Sequence, residues 1–109
     1  MPLEKTINRI SEFVSERDWS QFHNSKDLAL ALSIEAAELN ELFLWKGTEG
    51  ADPIKLKEEL ADIFIYALLL TEKHNLNIED IILEKLEKNS DKYPINRAKG
   101  KSDKYTELI

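Results

Sequence analysis

From Ile63 to Leu70 the chain reads Ile-Phe-Ile-Tyr-Ala-Leu-Leu-Leu, without a charged residue. This stretch lies inside a longer run from about Pro53 to His74. There Leu56, Leu60, Ile63, Phe64, Ala67, Leu68 and Leu70 leave little polar face at helical spacing. A helix apolar nearly all round has to be buried, in a bundle or against another subunit. The apolar stretch falls far short of the roughly 20 residues that span a bilayer. Other helices must therefore cover it.

The sequence supplies them. Leu3, Ile7, Ile10 and Val14 recur at helical spacing, which predicts a first helix over about residues 3–17. Trp19 and Phe22 follow in a polar connector, Asp18 to Asn24. Ser25 is a suitable N-cap for a second helix, with Leu28, Leu32, Leu39, Leu42 and Phe43 among its apolar residues and an end expected near Trp45 to Gly47, where glycine suits a helix stop. Asp52-Pro53 is a start signal for the third helix. Asn77 can cap a fourth, through Ile78, Ile81, Ile82 and Leu86, which Tyr93-Pro94 ends. Residues 95–109 form a basic tail. No stretch alternates with period 2 over a strand's length. The expected fold is all-α, four helices in a single domain spanning residues 1–109.

The charge balance narrows the function. Fifteen Lys and Arg stand against 21 Asp and Glu, a net charge of -6. That argues against a nucleic-acid polymer as partner, since such binders neutralise phosphates with a basic surface. A compact cluster of acids remains compatible with phosphate chemistry if divalent metals intervene. The chain has no cysteine, which removes disulfides, thiolate metal sites and cysteine nucleophiles. It suits a reducing compartment. The N-terminal residues lack the apolar core of a signal peptide. The expected setting is the cytoplasm, without a membrane partner.

Two acid pairs stand apart from the rest. The second helix carries Glu35-Ala36-Ala37-Glu38 and the third Glu59-Leu60-Ala61-Asp62. Spacing of i, i+3 puts each pair on one helix face, and both border apolar surface. One Glu-x-x-Glu is ordinarily a solvated face. Two on neighbouring, strongly apolar helices bring together like charges that repel and resist desolvation. Neither helix offers a matching Lys or Arg, so a divalent cation is the natural compensator. Mg²⁺ prefers oxygen ligands and completes its shell with water and substrate phosphates. A di-iron carboxylate site would call for Glu-x-x-His motifs, and neither His23 nor His74 sits three residues after a Glu.

Glu35-x-x-Glu38 with Glu59-x-x-Asp62 resembles the signature of the MazG-like, all-α nucleoside triphosphate pyrophosphohydrolases. Further segments resemble the dCTP pyrophosphatase branch of that family. They are Arg17-Asp18-Trp19, Gln21-Phe22-His23, Glu38-Leu39-x-Glu41-Leu42-Phe43-x-Trp45, Glu58-Glu59-Leu60-Ala61-Asp62-Ile63-x-Ile65-Tyr66, Lys85-x-x-x-Asn89-x-x-x-Tyr93-Pro94 and Lys104-Tyr105-Thr106-x-Leu108. The resemblance implies a MazG-like bundle that cleaves nucleoside triphosphates between the α and β phosphates, a nucleotide-pool cleansing activity. It implies that Glu35, Glu38, Glu59 and Asp62 bind Mg²⁺, and that Glu35 or Glu38 positions or deprotonates the attacking water. Trp19 and Trp45 would flank the base and Tyr66 would line the sugar pocket. Lys85, Asn89 and Tyr93 would make phosphate and base-side contacts. Taken by themselves, the tryptophans read as core residues sooner than as base-binding ones, Tyr66 as a buried tyrosine, and a solvated stripe explains the Lys85 ladder equally well. Ile10 stands where some relatives carry a histidine near the base, and the loop from Thr48 to Asp52 is shorter than in relatives.

The resemblance further implies a homo-oligomer, a tetramer built as a dimer of dimers. Two alternatives stay open. One is the same chemistry on dUTP or a broad set of nucleoside triphosphates. The other is a non-catalytic helical interaction module whose acids serve only solubility.

Overall fold

The computed structural model describes residues 2–107; Leu108 of the C-terminal resemblance and the chain's last residue lie outside the described residues. Every regular element among them is helical: α1 (Pro2–Glu16), a 3₁₀ turn (Ser20–Phe22), α2 (Ser25–Glu41), α3 (Pro53–Lys73), α4 (Ile78–Lys92), α5 (Ile95–Ala98) and a 3₁₀ turn (Tyr105–Glu107). The all-α expectation holds. The helices form two compact units, α1 to α3 through Asn75 and α4 with α5 from Leu76.

Local chemistry sets the helix ends. Pro2 and Pro53 open α1 and α3, where a missing N–H costs nothing. The Asp52 carboxylate accepts from the backbone N–H of Ile54 at 2.9 Å and of Lys55 at 3.4 Å. Asn77 accepts from Asp80 N–H at 3.0 Å, as its cap role predicts. At α2 the sequence expectation is corrected by one residue. Asn24, not Ser25, is the N-cap, and its amide oxygen accepts from Asp27 N–H at 2.8 Å. The Ser25 hydroxyl is engaged elsewhere, 2.9 Å from Nε2 of His74.

The end of α2 also differs from expectation. Regular helix stops at Glu41, and the chain continues in i→i+3 turns, with Leu44 N–H donating to Glu41 O and Lys46 N–H to Phe43 O, each at 3.0 Å. Trp45, not Gly47, takes the left-handed conformation, at φ 63°. Gly50 is required next to it. A Cβ at Gly50 would come within 2.6 Å of the Lys46 Cβ and 3.1 Å of the Gly47 backbone. The C-terminal stretch read as a tail carries one helical turn, α5, and the 3₁₀ turn.

In the first unit α2 packs along α3, and α1 contacts α3. The Ser25–His74 hydrogen bond joins the start of α2 to the end of α3, so the two helices run antiparallel as a hairpin. Each helix contributes one core apolar residue: Val14, Leu28 and Leu68. The remaining apolar surface of α2 and α3 is only partly covered. Leu30 is 55% exposed, Ile34 49% and Phe64 62%. Leu28, at 2% exposed, is the most deeply buried side chain among the described residues. Leu28→Ala is expected to cost about 2–5 kcal/mol in urea denaturation.

Candidate metal centre and adjoining cavity

The hairpin delivers the two acid pairs to one place. One carboxylate oxygen from each of Glu35, Glu38 and Glu59 lies within 4.8 Å of the other two. Asp62 stands outside that trio, yet its charge acts on Glu35. No Lys or Arg is ion-paired with these four acids among the described residues. The ion pairs there join Arg9 with Glu12, Arg17 with Glu16 and Lys26 with Asp27.

The electrostatic consequence falls on Glu35. Burial, then the nearby carboxyl groups of Glu59 and Glu38, then the charges of Glu38 and Asp62, push it up from 4.5 to about 7. A proton on Glu35 is held because it can be shared with Glu59 and Glu38. Once the group ionises, only acceptors face one another. Oε2 of Glu35 and Oε2 of Glu59 are both buried without a hydrogen-bond partner. Buried acceptors are rarely left so. Two orphaned oxygens and a third carboxylate fit a hard divalent cation, which takes oxygen ligands and needs no hydrogen bond.

A cavity of about 650 Å³ opens between α1 and α3. Ile10, Phe13, Val14, Ile65, Leu68 and Leu69 supply apolar lining, and Thr6, Arg9, Trp19, His23, Asp62 and Tyr66 supply polar groups. Asp62 thus belongs both to the cavity and to the field around Glu35. Of the residues singled out from the sequence, Trp19 and Tyr66 line this cavity. Trp45 does not, and its side chain is 94% exposed. Lys85 and Asn89 lie on α4 in the second unit, and Tyr93 is the C-cap of that helix, its N–H donating to Asn89 O at 2.8 Å.

Sequence reasoning missed Phe13 and gave no role to Arg17, which it quoted only within Arg17-Asp18-Trp19. Phe13 lines the cavity and meets Trp19 edge to face, with centroids 5.7 Å apart and planes at 76°. The Arg17 guanidinium carbon sits 3.7 Å from the Phe13 ring centroid. The available signal was an Arg four residues after a Phe on one helix, a spacing that stacks the two side chains.

Comparison with known proteins gives a consistent result. The model of the MazG-like family matches residues 30–108. The dCTP pyrophosphatase 1 of Homo sapiens is 40% identical over an alignment covering 98% of this chain and 68% of its own. That of Bos taurus is 39% identical, with 98% and 69% covered. The crystal structure of a pyrophosphatase from Archaeoglobus fulgidus superposes with a TM-score of 0.81 at 34% identity, covering 86% of this chain and 94% of that one.

Two outcomes are expected from this geometry. The folded, metal-free chain holds a proton on Glu35 up to about pH 7, whereas the unfolded chain releases it near 4.5. The fold binds more protons in that window, so its stability falls as pH rises through it. Glu35→Gln should flatten this slope in urea titrations run without metal. Above pH 7, added Mg²⁺ should raise the melting temperature of the wild type, and Glu59→Gln should abolish most of the rise.

Proposed function

The chain belongs to the MazG-like family, and we propose on that premise that it hydrolyses dCTP or closely related deoxynucleoside triphosphates to the monophosphate and pyrophosphate. The convergence of Glu35, Glu38 and Glu59, with two buried oxygens lacking any donor, carries the reading. Beside them lies a cavity lined by Asp62, Trp19 and Tyr66, wide enough for a base and sugar. A non-catalytic interaction module has no use for buried, unpartnered carboxylates.

Glu35, Glu38, Glu59 and Asp62 would hold Mg²⁺. When bound, the ion supplies charge neutralisation for the triphosphate, polarisation of the α-phosphoryl group and acidification of the attacking water. Glu38, the exposed carboxylate of the trio, is open to solvent and receives the water's proton. Glu35 is the second candidate for that role. Trp19 offers an aromatic face to the base, and Tyr66 flanks the sugar. Stacking provides affinity with little discrimination among bases. Ile10 on the wall adds no polar contact to a base edge, so a broader set of nucleoside triphosphates, dUTP included, is the second reading. For Lys85, Asn89, Tyr93 and Trp45, roles toward substrate rest on the resemblance alone.

The exposed apolar residues of α2, Leu30 and Ile34, support a homo-oligomer; a tetramer arranged as a dimer of dimers rests on the resemblance. A house-cleaning role in the cytoplasm suits a triphosphate-directed enzyme without cysteine.

A panel of deoxynucleotides and ribonucleotides with Mg²⁺, followed by product analysis, tests the assignment. Release of pyrophosphate with dCMP from dCTP is expected; no pyrophosphate from any nucleotide would sink it, and preference for dUTP would overturn the base assignment alone. Glu38→Gln should lower kcat by roughly 10²- to 10⁴-fold without changing helical content. Solution scattering should give a multimer's mass, and a monomer's would remove the assembly.

A further inference from the structure

We propose that Arg17 is a positioning residue: acting through Phe13, it fixes the orientation of the Trp19 indole against which a nucleobase stacks. The proposal rests on reading the cavity between α1 and α3 as the nucleotide site, and it gives a role to Phe13, which lies in no quoted motif, and to Arg17, which has none assigned.

The chain has to turn sharply to present Trp19. α1 ends at Glu16, and Asp18 adopts a left-handed conformation at φ 56°. The backbone then folds back, and Trp19 N–H donates to Val14 O at 3.0 Å. This fixes where the residue begins but not where its ring points. Burial does not fix it either, since Trp19 and Phe13 are each 44% exposed. An indole that open keeps rotamer freedom unless a neighbour removes it.

Phe13 is that neighbour. Its ring meets the indole at 76° with centroids 5.7 Å apart, the edge-to-face arrangement that the aromatic quadrupole favours. Phe13 needs its own anchor, and Arg17 provides two. The guanidinium carbon lies 3.7 Å from the ring centroid, and NH1 donates to the Phe13 carbonyl oxygen at 3.1 Å. A cation against one aromatic ring and an indole in edge-to-face contact with it hold that ring by complementary electrostatics. Phe13 and Trp19 both line the cavity with Asp62 and Tyr66, so the ordered rings face the space the substrate would occupy. The only ion pair formed by Arg17 among the described residues is with Glu16 at 3.8 Å, a solvent-exposed contact of small effect.

Steady-state kinetics on dCTP with Mg²⁺ test this, together with near-ultraviolet circular dichroism of the tryptophans. Arg17→Met keeps the aliphatic stem and removes the cation. It should raise KM roughly 2- to 5-fold, the effect of an exposed cation–π contact, with kcat unchanged and the tryptophan dichroism weakened. Arg17→Lys should recover part of both. Phe13→Leu should raise KM at least as much, and in that background Arg17→Met should add nothing, because the path runs through the ring. An unchanged KM in Arg17→Met overturns the proposal. So does a persistent Arg17→Met effect in the Phe13→Leu background, which would mean that Arg17 meets the triphosphate directly. Trp19→Ala separates the two levels. If it raises KM while Arg17→Met is silent, positioning fails and the cavity reading stands. If it leaves KM unchanged, the cavity reading fails and the proposal with it.

Discussion

Carboxyl groups crowded together with no donor but a single shared proton govern this molecule. Oε2 of Glu35 and Oε2 of Glu59 are buried acceptors with no donor, and Glu38 and Asp62 add charge of the same sign. Left to themselves such groups would separate. They stay together because each pair is fixed to the face of a long helix and the two helices are tied at both ends. The chain itself joins them at one end, and Ser25 with His74 does so at the other. Burial between α2 and α3 sets the opposing force, and the caps at Asn24 and Asp52 hold the helix starts. A proton at Glu35 relieves the crowding, a cation held by the cluster would do the same, and the arrangement is least stable with neither. Affinity for a divalent ion is thus the counterpart of strain in the bare fold.

Much of this was legible in the sequence because it depends on local rules. Asp52-Pro53 and Asn77 mark helix starts through their own side chains, so their positions could be read directly. The i, i+3 spacing of Glu35 with Glu38, and of Glu59 with Asp62, placed each pair on a face. That both faces meet required only that two apolar helices pack together. The MazG-like resemblance then drew the same four residues into one motif. What stayed hidden was decided by competition or by distance. Asn24 and Ser25 both suit an N-cap, and the choice fell to Asn24 because the serine hydroxyl is bonded to His74, 49 residues away. Gly47 looked like the stop for α2, yet the left-handed turn came two residues earlier at Trp45, where propensity alone would not put it.

The cavity shows the same division. Trp19 and Tyr66 could be assigned roles from motifs, whereas Phe13 lies in none and Arg17 carried no role in its own, because their contacts form where rings meet across a turn of backbone at Asp18. The lining is largely apolar in area, and its polar groups come from Thr6, Arg9, Trp19, His23, Asp62 and Tyr66. Such a surface binds an aromatic ring strongly and distinguishes one ring from another weakly. On the proposed reading, phosphate recognition would fall to the acid cluster and the cation it would hold. The proposed site would thus divide the work into charge and stacking, and Asp62 lies at the meeting of the two, lining the cavity and acting on Glu35.

Trp45 has a consequence of a different kind. Its backbone sits at φ 63° and its indole is 94% exposed, so the lone chain bears conformational strain of about 1–2 kcal/mol and wets a large apolar ring. A glycine there would relieve both. Position 45 is therefore one where improving the isolated fold and preserving the natural residue pull in opposite directions. Stability screens that reward folding alone would drift away from tryptophan at this position, and in doing so would mark it as a residue the fold does not need.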